Sequence, residues 1–212
     1  MMARAIGYDE MVAMLRRAVR QINDNHEMLS KLDSFGGDGD HGTTMLRAMK
    51  GVEKSLEESQ LRDLKTLLYD VGWGIMGVDG GATGPLFGTL FMSMSHGAAE
   101  EGPLDAGALA TVFESGLAGV QKQTKAQVGD KTLMDVLVPA VAALRAAADG
   151  GADAAAALKQ AADVAQQGAE STQKLQARFG RAKNLGEGSI GHQDPGATSM
   201  AMIFKAFAEA VA

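Results

Sequence analysis

Residues 11–32 read MVAMLRRAVRQINDNHEMLSKL. The apolar positions Val12, Leu15, Val19, Ile22, Leu29 and Leu32 are spaced as in a helix that buries one face and solvates the other. Asp9, just upstream, has a side chain suited to capping it. The spacing returns in Met45, Met49, Val52 and Leu56, and again in Leu64, Leu67, Leu68 and Val71. Further helices are expected near 84–99, 106–122, 131–149, 152–180 and 195–211, separated by breakers such as EGPLD and ADGGAD. That makes eight amphipathic helices. Stretches with the two-residue period of a strand are nearly missing and aromatic residues are only 5% of the chain, so a sheet has little to be built from. The expectation is an all-α protein.

A chain of 212 residues, 46% of them apolar, can bury a sizeable core, and one domain over 1–212 is expected. Its formal charge of −6 lacks the basic face that phosphate backbones require, which argues against a nucleic-acid partner. With no cysteine, disulfides and thiolate metal sites are excluded; thirteen methionines and no secretory signal suit a reducing cytoplasm. The longest uncharged run, Gly80 to Ala99, is about long enough to span a bilayer. Its five glycines, proline and histidine speak against that, so no membrane is expected.

Two loops interrupt the helical pattern. The first, LDSFGGDGDHGTTM at 32–45, packs three aspartates and four glycines into fourteen positions. Its flexible backbone can bring Asp33, Asp38 and Asp40 together, an arrangement that is costly unless a cation neutralises it. Hard divalent cations prefer oxygen ligands, and Mg²⁺ commonly uses a few carboxylates with waters and substrate phosphates. A calcium loop of the EF-hand type starting at Asp38 would place Met49 where a bidentate glutamate belongs, and the remaining histidines lack zinc spacing. The plainer alternative is that Asp38 and Asp40 only form turns and cap the helix after Gly42.

The second loop, GWGIMGVDGGATGPLFG at 72–88, carries seven glycines. Its G-x-G-x-x-G follows a helical rather than a strand pattern, so a dinucleotide turn is not expected. GGATGPLFG can offer backbone N–H groups and the Thr83 hydroxyl to a phosphate, or simply pack helices tightly. Downstream, GDKT at 129–132 reads as a helix start, and GHQDPGATSM at 191–200 as a helix whose cap is Asp194 and whose first residue is Pro195.

Taken in order, GDGDHGTTM, GGATGPLFGT, GDKTLMDVLVPAV and GRAKNLGEGSIGHQDPGATS resemble the ADP-binding L subunits of bacterial dihydroxyacetone kinases, across nearly the whole chain. The resemblance implies a barrel of eight antiparallel helices that binds ADP or ATP at one end. It implies that Asp33, Asp38 and Asp40 hold two Mg²⁺ ions. His41, Gly42, Thr43 and Thr44, with Ala82 and Thr83, would contact the phosphates; Thr124, Leu133, Asp194, Pro195 and Gly196 would contact the adenosine. His41 and Arg181 are the implied catalytic residues, Arg181 as a fixed positive charge near the nucleotide. The sugar would sit on a separate K subunit. The phosphoryl donor would be either a phosphohistidine subunit of the phosphotransferase system or exchangeable ATP, in a homodimer or heterocomplex.

The chain departs from the family's pattern. Thr83 replaces a serine, Val78 and Asp79 stand where serine and valine are found, Gly188 where arginine is usual, and Gly36 where isoleucine is common. These changes leave room for another small keto-sugar, such as a tetrulose. Asp79 and Gly188 also motivate the competing expectation of a non-catalytic nucleotide-sensing or scaffold homologue.

Overall fold

The computed structural model describes residues 5–98 and 102–212. Among them lie eight α-helices: α1 (Tyr8–Asp33), α2 (His41–Glu58), α3 (Leu64–Met76), α4 (Thr83–Gly97), α5 (Ala106–Gln123), α6 (Met134–Asp149), α7 (Ala154–Ser171) and α8 (Pro195–Val211). Two 3-10 segments, Thr172–Lys174 and Arg181–Ser189, fill most of the stretch between α7 and α8. The β-pairing among these residues is one isolated antiparallel bridge, in which Ile6 and Leu104 exchange backbone hydrogen bonds of 2.8 Å.

The helices fall where the apolar periodicity places them, with bounds that differ for physical reasons. The cap of α1 is Gly7, whose N–H donates to Glu10 Oε2 at 3.0 Å; Asp9 sits inside the first turn and pairs with Arg62 at 2.5 Å. Helix α6 begins at Met134 rather than 131 because Lys131 takes a left-handed φ of 60°, which a right-handed helix cannot contain. Helix α7 stops at Ser171, short of 180. There its stripe of Ala154, Leu158, Ala161, Ala165 and Ala169 runs out, and the Thr172 hydroxyl donates to the Ala169 carbonyl at 2.6 Å. Residue 99, the expected end of α4, lies outside the described residues.

Each helix packs on its neighbour in the chain, and α8 returns to pack on α1. The eight therefore form a closed ring of pairings. Arg17 and Glu209 join α1 to α8 at 2.5 Å, and Arg145 and Glu114 join α6 to α5 at 2.7 Å. Partly exposed pairs of this kind contribute only about 0–1 kcal/mol each, so closure rests on the core. There Phe113 of α5 meets Phe204 and Phe207 of α8, with ring centroids 5.5 and 6.3 Å apart. Burying each such side chain is worth about 1.5–3 kcal/mol.

Small residues set the helix spacing. A β-carbon on Gly168 would stand 2.4 Å from the Asp135 carbonyl oxygen, so α7 lies close against α6. Gly72 approaches Met92 of α4, and Gly74 approaches Gly51 of α2. Gly72 and Gly74 of GWGIMG are thus helix-packing contacts and Gly77 ends α3, so no dinucleotide turn is formed.

Candidate functional site

The four connections α1–α2, α3–α4, α5–α6 and α7–α8 all contribute to one pocket. The α1–α2 turn supplies the acidic side. Asp33, at the end of α1, accepts hydrogen bonds through Oδ2 from the backbone N–H groups of Asp40 (3.0 Å) and His41 (3.3 Å). Asp33 therefore caps α2 from outside that helix, while Asp40, in the cap position, makes no capping bond with its own side chain. Gly39, at φ 75°, permits the turn between them. As a result Asp33, Asp38 and Asp40 each offer one carboxylate oxygen, all within 4.8 Å of one another. Arg181, from the stretch between α7 and α8, pairs with the Asp38 carboxylate.

A cluster of hard oxygen donors without nitrogen or sulfur ligands suits Mg²⁺ or a similar cation. The capping role found for Asp33 also separates the aspartates. One organises the turn, and the other two project from it.

His41 is buried at the start of α2. Its Nε2 lies 3.0 Å from Ser199 Oγ and its Nδ1 lies 3.4 Å from Thr83 Oγ1. The Ser199 hydroxyl donates to the Gly196 carbonyl at 3.1 Å, which leaves its lone pairs to receive a proton on Nε2. In this tautomer Nδ1 is an acceptor aimed at Thr83. Burial lowers the His41 pKa to about 4, against the opposing influence of Asp33. The side chain is therefore a neutral hydrogen-bonding group that links α2, α4 and α8, and contributes no cation at neutral pH.

In the glycine loop, Gly80 and Gly81 take φ values of 130° and 54° and lead into α4 at Thr83. Thr44 packs so closely on Gly80 that a β-carbon there would stand 2.3 Å from Thr44 Oγ1. Ala82 and Thr83 line the pocket beside these glycines.

On the opposite wall, Asp194 Oδ2 accepts from the Ala197 N–H at 2.7 Å and Pro195 opens α8, so the helix-cap reading of this segment holds. Both also line the pocket. The Asp194 residue is only partly buried, but enclosure of its carboxyl raises the pKa to about 7, opposed by the Ala197 N–H and by the nearby Lys131 charge.

The structure thus gathers Asp33, Asp38, Asp40, His41, Ala82, Thr83, Arg181, Asp194 and Pro195 around one pocket. Gly42, Thr43 and Thr44 lie just behind it in the first turn of α2. Gly42 is pressed against the His26 carbonyl, and Thr43 Oγ1 donates to the Asp40 carbonyl at 2.8 Å. Gly196 sits in the first turn of α8 facing Leu133, and Thr124 caps the end of α5; these three are outside the pocket wall.

Several wall residues carried no signal in the sequence. Phe35 stacks on His192 with centroids 3.6 Å apart and planes 14° from parallel, and Phe179 and Leu185 are exposed nearby. Lys131, in a family motif whose local pattern reads as a helix start, also lines the pocket while being buried. Of the departures, Gly36 and Gly188 are part of the wall, whereas Asp79 is exposed and outside it.

Residues 36–209 match the DAK2 domain family. Over 186 residues the chain is 39% identical to the PEP-dependent dihydroxyacetone kinase 1, ADP-binding subunit DhaL, of Listeria innocua, covering 88% of each protein. It is 38% identical over 199 residues to the corresponding Escherichia coli subunit, covering 94% of this chain and 95% of that one. The crystal structure of C. freundii dihydroxyacetone kinase in complex with AMP-PNP and Mg²⁺ superposes with a TM-score of 0.70 at 30% identity. That match covers 98% of this chain and 35% of the longer kinase.

Proposed function

Because the chain belongs to the DAK2 domain family, together with the ADP-binding subunits of dihydroxyacetone kinases, we propose that it is the nucleotide-binding L-type subunit of such a kinase. The observation that carries this reading is the convergence of Asp33, Asp38 and Asp40 beside the glycine loop and Arg181. A carboxylate cluster facing phosphate-binding backbone is what Mg-dependent phosphoryl transfer requires.

In this reading residues 1–212 form one domain, and the closed ring of helices is a barrel of eight antiparallel helices. All four odd-to-even connections meet at one end, as up-and-down connectivity demands. Asp33, Asp38 and Asp40 hold two Mg²⁺ ions, which when bound neutralise charge on the nucleotide phosphates. His41, Gly42, Thr43 and Thr44 at the start of α2, and Ala82 and Thr83 at the start of α4, position those phosphates at two helix N-termini. Asp194, Pro195 and Gly196, with Thr124 and Leu133, border the adenosine. Arg181 places a guanidinium against the transferring phosphoryl group. His41, neutral and fixed by Ser199, orders the turn through Thr83 rather than carrying charge. Dihydroxyacetone, or a similar keto-sugar, is held on a separate K-type subunit in the cytoplasm.

The test is to purify the chain without added nucleotide, denature it, and identify what is released. Near-stoichiometric ADP fits a prosthetic nucleotide recharged by a phosphohistidine subunit, and an empty protein that binds Mg-ATP reversibly fits the ATP-dependent branch. A chain that carries no nucleotide and binds none would overturn the reading.

A further inference from the structure

Lys131 is a buried cation in the pocket wall to which the proposed function gives no task. It is 5% exposed, and its Nζ donates to two backbone carbonyls, Thr172 at 2.6 Å and His192 at 2.5 Å. These acceptors stand at the two ends of the excursion between α7 and α8, whose far part carries Arg181. One ammonium therefore closes the base of that excursion and ties it to the α5–α6 connection. Two other bonds cross the same base: Gly191 N–H to the Gln173 carbonyl at 2.8 Å, and Asp194 N–H to Thr172 Oγ1 at 2.9 Å.

The backbone is arranged to deliver this side chain. Lys131 takes a φ of 60°, a conformation disfavoured for any residue with a β-carbon. It is held there by Asp135, which accepts from Gly129 N–H (2.6 Å) and Thr132 N–H (2.7 Å) on either side. Strain of this kind persists where the surroundings over-determine the position, and it is concentrated at functional sites. Glycine would satisfy the turn without strain, so what lysine adds is its ammonium.

We infer that Lys131 is a positioning residue: it clamps the base of the Thr172–His192 excursion so that Arg181, His192 and Asp194 meet the nucleotide in one fixed arrangement. This rests on the reading of the pocket as a nucleotide site. Loss of the clamp loosens the excursion without unfolding it, because the Gly191 and Asp194 bonds remain.

Two variants separate the ammonium from the backbone. Lys131→Met keeps the side chain's length and the strained φ; Lys131→Gly removes the side chain and relieves the strain. Mg-ADP affinity is measured by titration calorimetry and amide exchange is followed in the protein without nucleotide. Both variants are expected to bind Mg-ADP about tenfold or more weakly, the order of effect when a charge-assisted hydrogen bond is lost. Exchange should quicken over 172–192 and stay unchanged in α1 to α4, and Lys131→Gly should melt no lower than Lys131→Met. Affinity within twofold of the unaltered protein in a folded variant would overturn the inference, as would exchange that is unchanged or rises evenly through all helices. If the unaltered protein itself binds no Mg-ADP, the nucleotide reading fails. Exchange over 172–192 then decides the clamp alone, faster upholding it and unchanged overturning it.

Discussion

A β-carbon built on Gly36 would stand 2.7 Å from the β-carbon of Ala182 and 3.1 Å from its α-carbon. The turn after α1 and the Arg181–Ser189 segment thus meet almost backbone to backbone. The isoleucine common at this position in the family would not fit here, where glycine leaves room for the segment that carries Arg181. The same segment brings Arg181 to Asp38.

Gly36→Ala is therefore expected to push the segment outward. The φ of Gly36 lies outside the left-handed region, so the penalty is steric alone. Overpacking of this kind costs about 1–3 kcal/mol. Urea denaturation should show that loss together with weaker Mg-nucleotide binding. An unchanged midpoint would mean that the segment moves freely.

Asp33 and Asp38 should separate in a denaturation experiment run in a chelator. Removing Asp33 orphans the N–H groups of Asp40 and His41, so Asp33→Ala is expected to lose about 1–3 kcal/mol without any metal present. Asp38 is half-exposed and pairs with an exposed arginine, so Asp38→Ala should stay within about 0.5 kcal/mol. With Mg²⁺, nucleotide and the K-type partner supplied, both variants should lose phosphoryl transfer. Full transfer by Asp38→Ala would favour a non-catalytic role for the cluster.

Gly188 presents the opposite case to Gly36. The nearest atom to a β-carbon there is Leu185 Cβ at 3.8 Å, so a side chain can leave the backbone without a clash, as the arginine usual in the family requires. Gly188→Arg should leave stability within about 0.5 kcal/mol. It adds a positive charge to the pocket wall, and in the proposed reading transfer should rise a few-fold, in line with about 1 kcal/mol for a partly solvated charge contact. A slower variant would show that the glycine is adapted to this chain's own substrate or partner.

What the sequence made legible was set by local physics. The helices declared themselves because a buried face repeats every three to four residues, and the α1–α2 turn because three aspartates among glycines have few uses. Asp194 was legible twice over, as a helix cap from Asp-Pro and as a pocket residue from the family's motifs. The wall between α7 and α8 was legible only in part, through the family's motif that carries Arg181 and Gly188, while its course and its contacts were not. The Ala-rich composition of α7 hid its stop at Ser171, which is set by the end of the buried stripe at Ala169 and by the Thr172 hydroxyl bonding back to the Ala169 carbonyl. The role of Lys131 was invisible because its partners lie 41 and 61 residues away, and both are backbone carbonyls, which carry no sequence signature. The Phe35–His192 stack likewise joins residues with no local relation.

Asp194 gives the chain a pH dependence whose sign follows from its raised pKa. Enclosure holds the carboxyl at about 7 in the folded protein, against an ordinary value of 3.8. Between those values the folded state binds more protons than the unfolded chain. Stability from this group is therefore present below about pH 4 and is lost as pH climbs toward 7. The steepest possible slope is about 1.4 kcal/mol per pH unit for one proton. Asp194→Asn isolates the effect, because asparagine can still cap α8 through the Ala197 N–H but cannot ionise. Urea denaturation of both proteins at pH 5, 6 and 7 should show the unaltered chain losing stability relative to the variant as pH rises. A difference that stays constant across that range would mean that the carboxyl ionises near its ordinary value, and that the Lys131 charge compensates its burial in full.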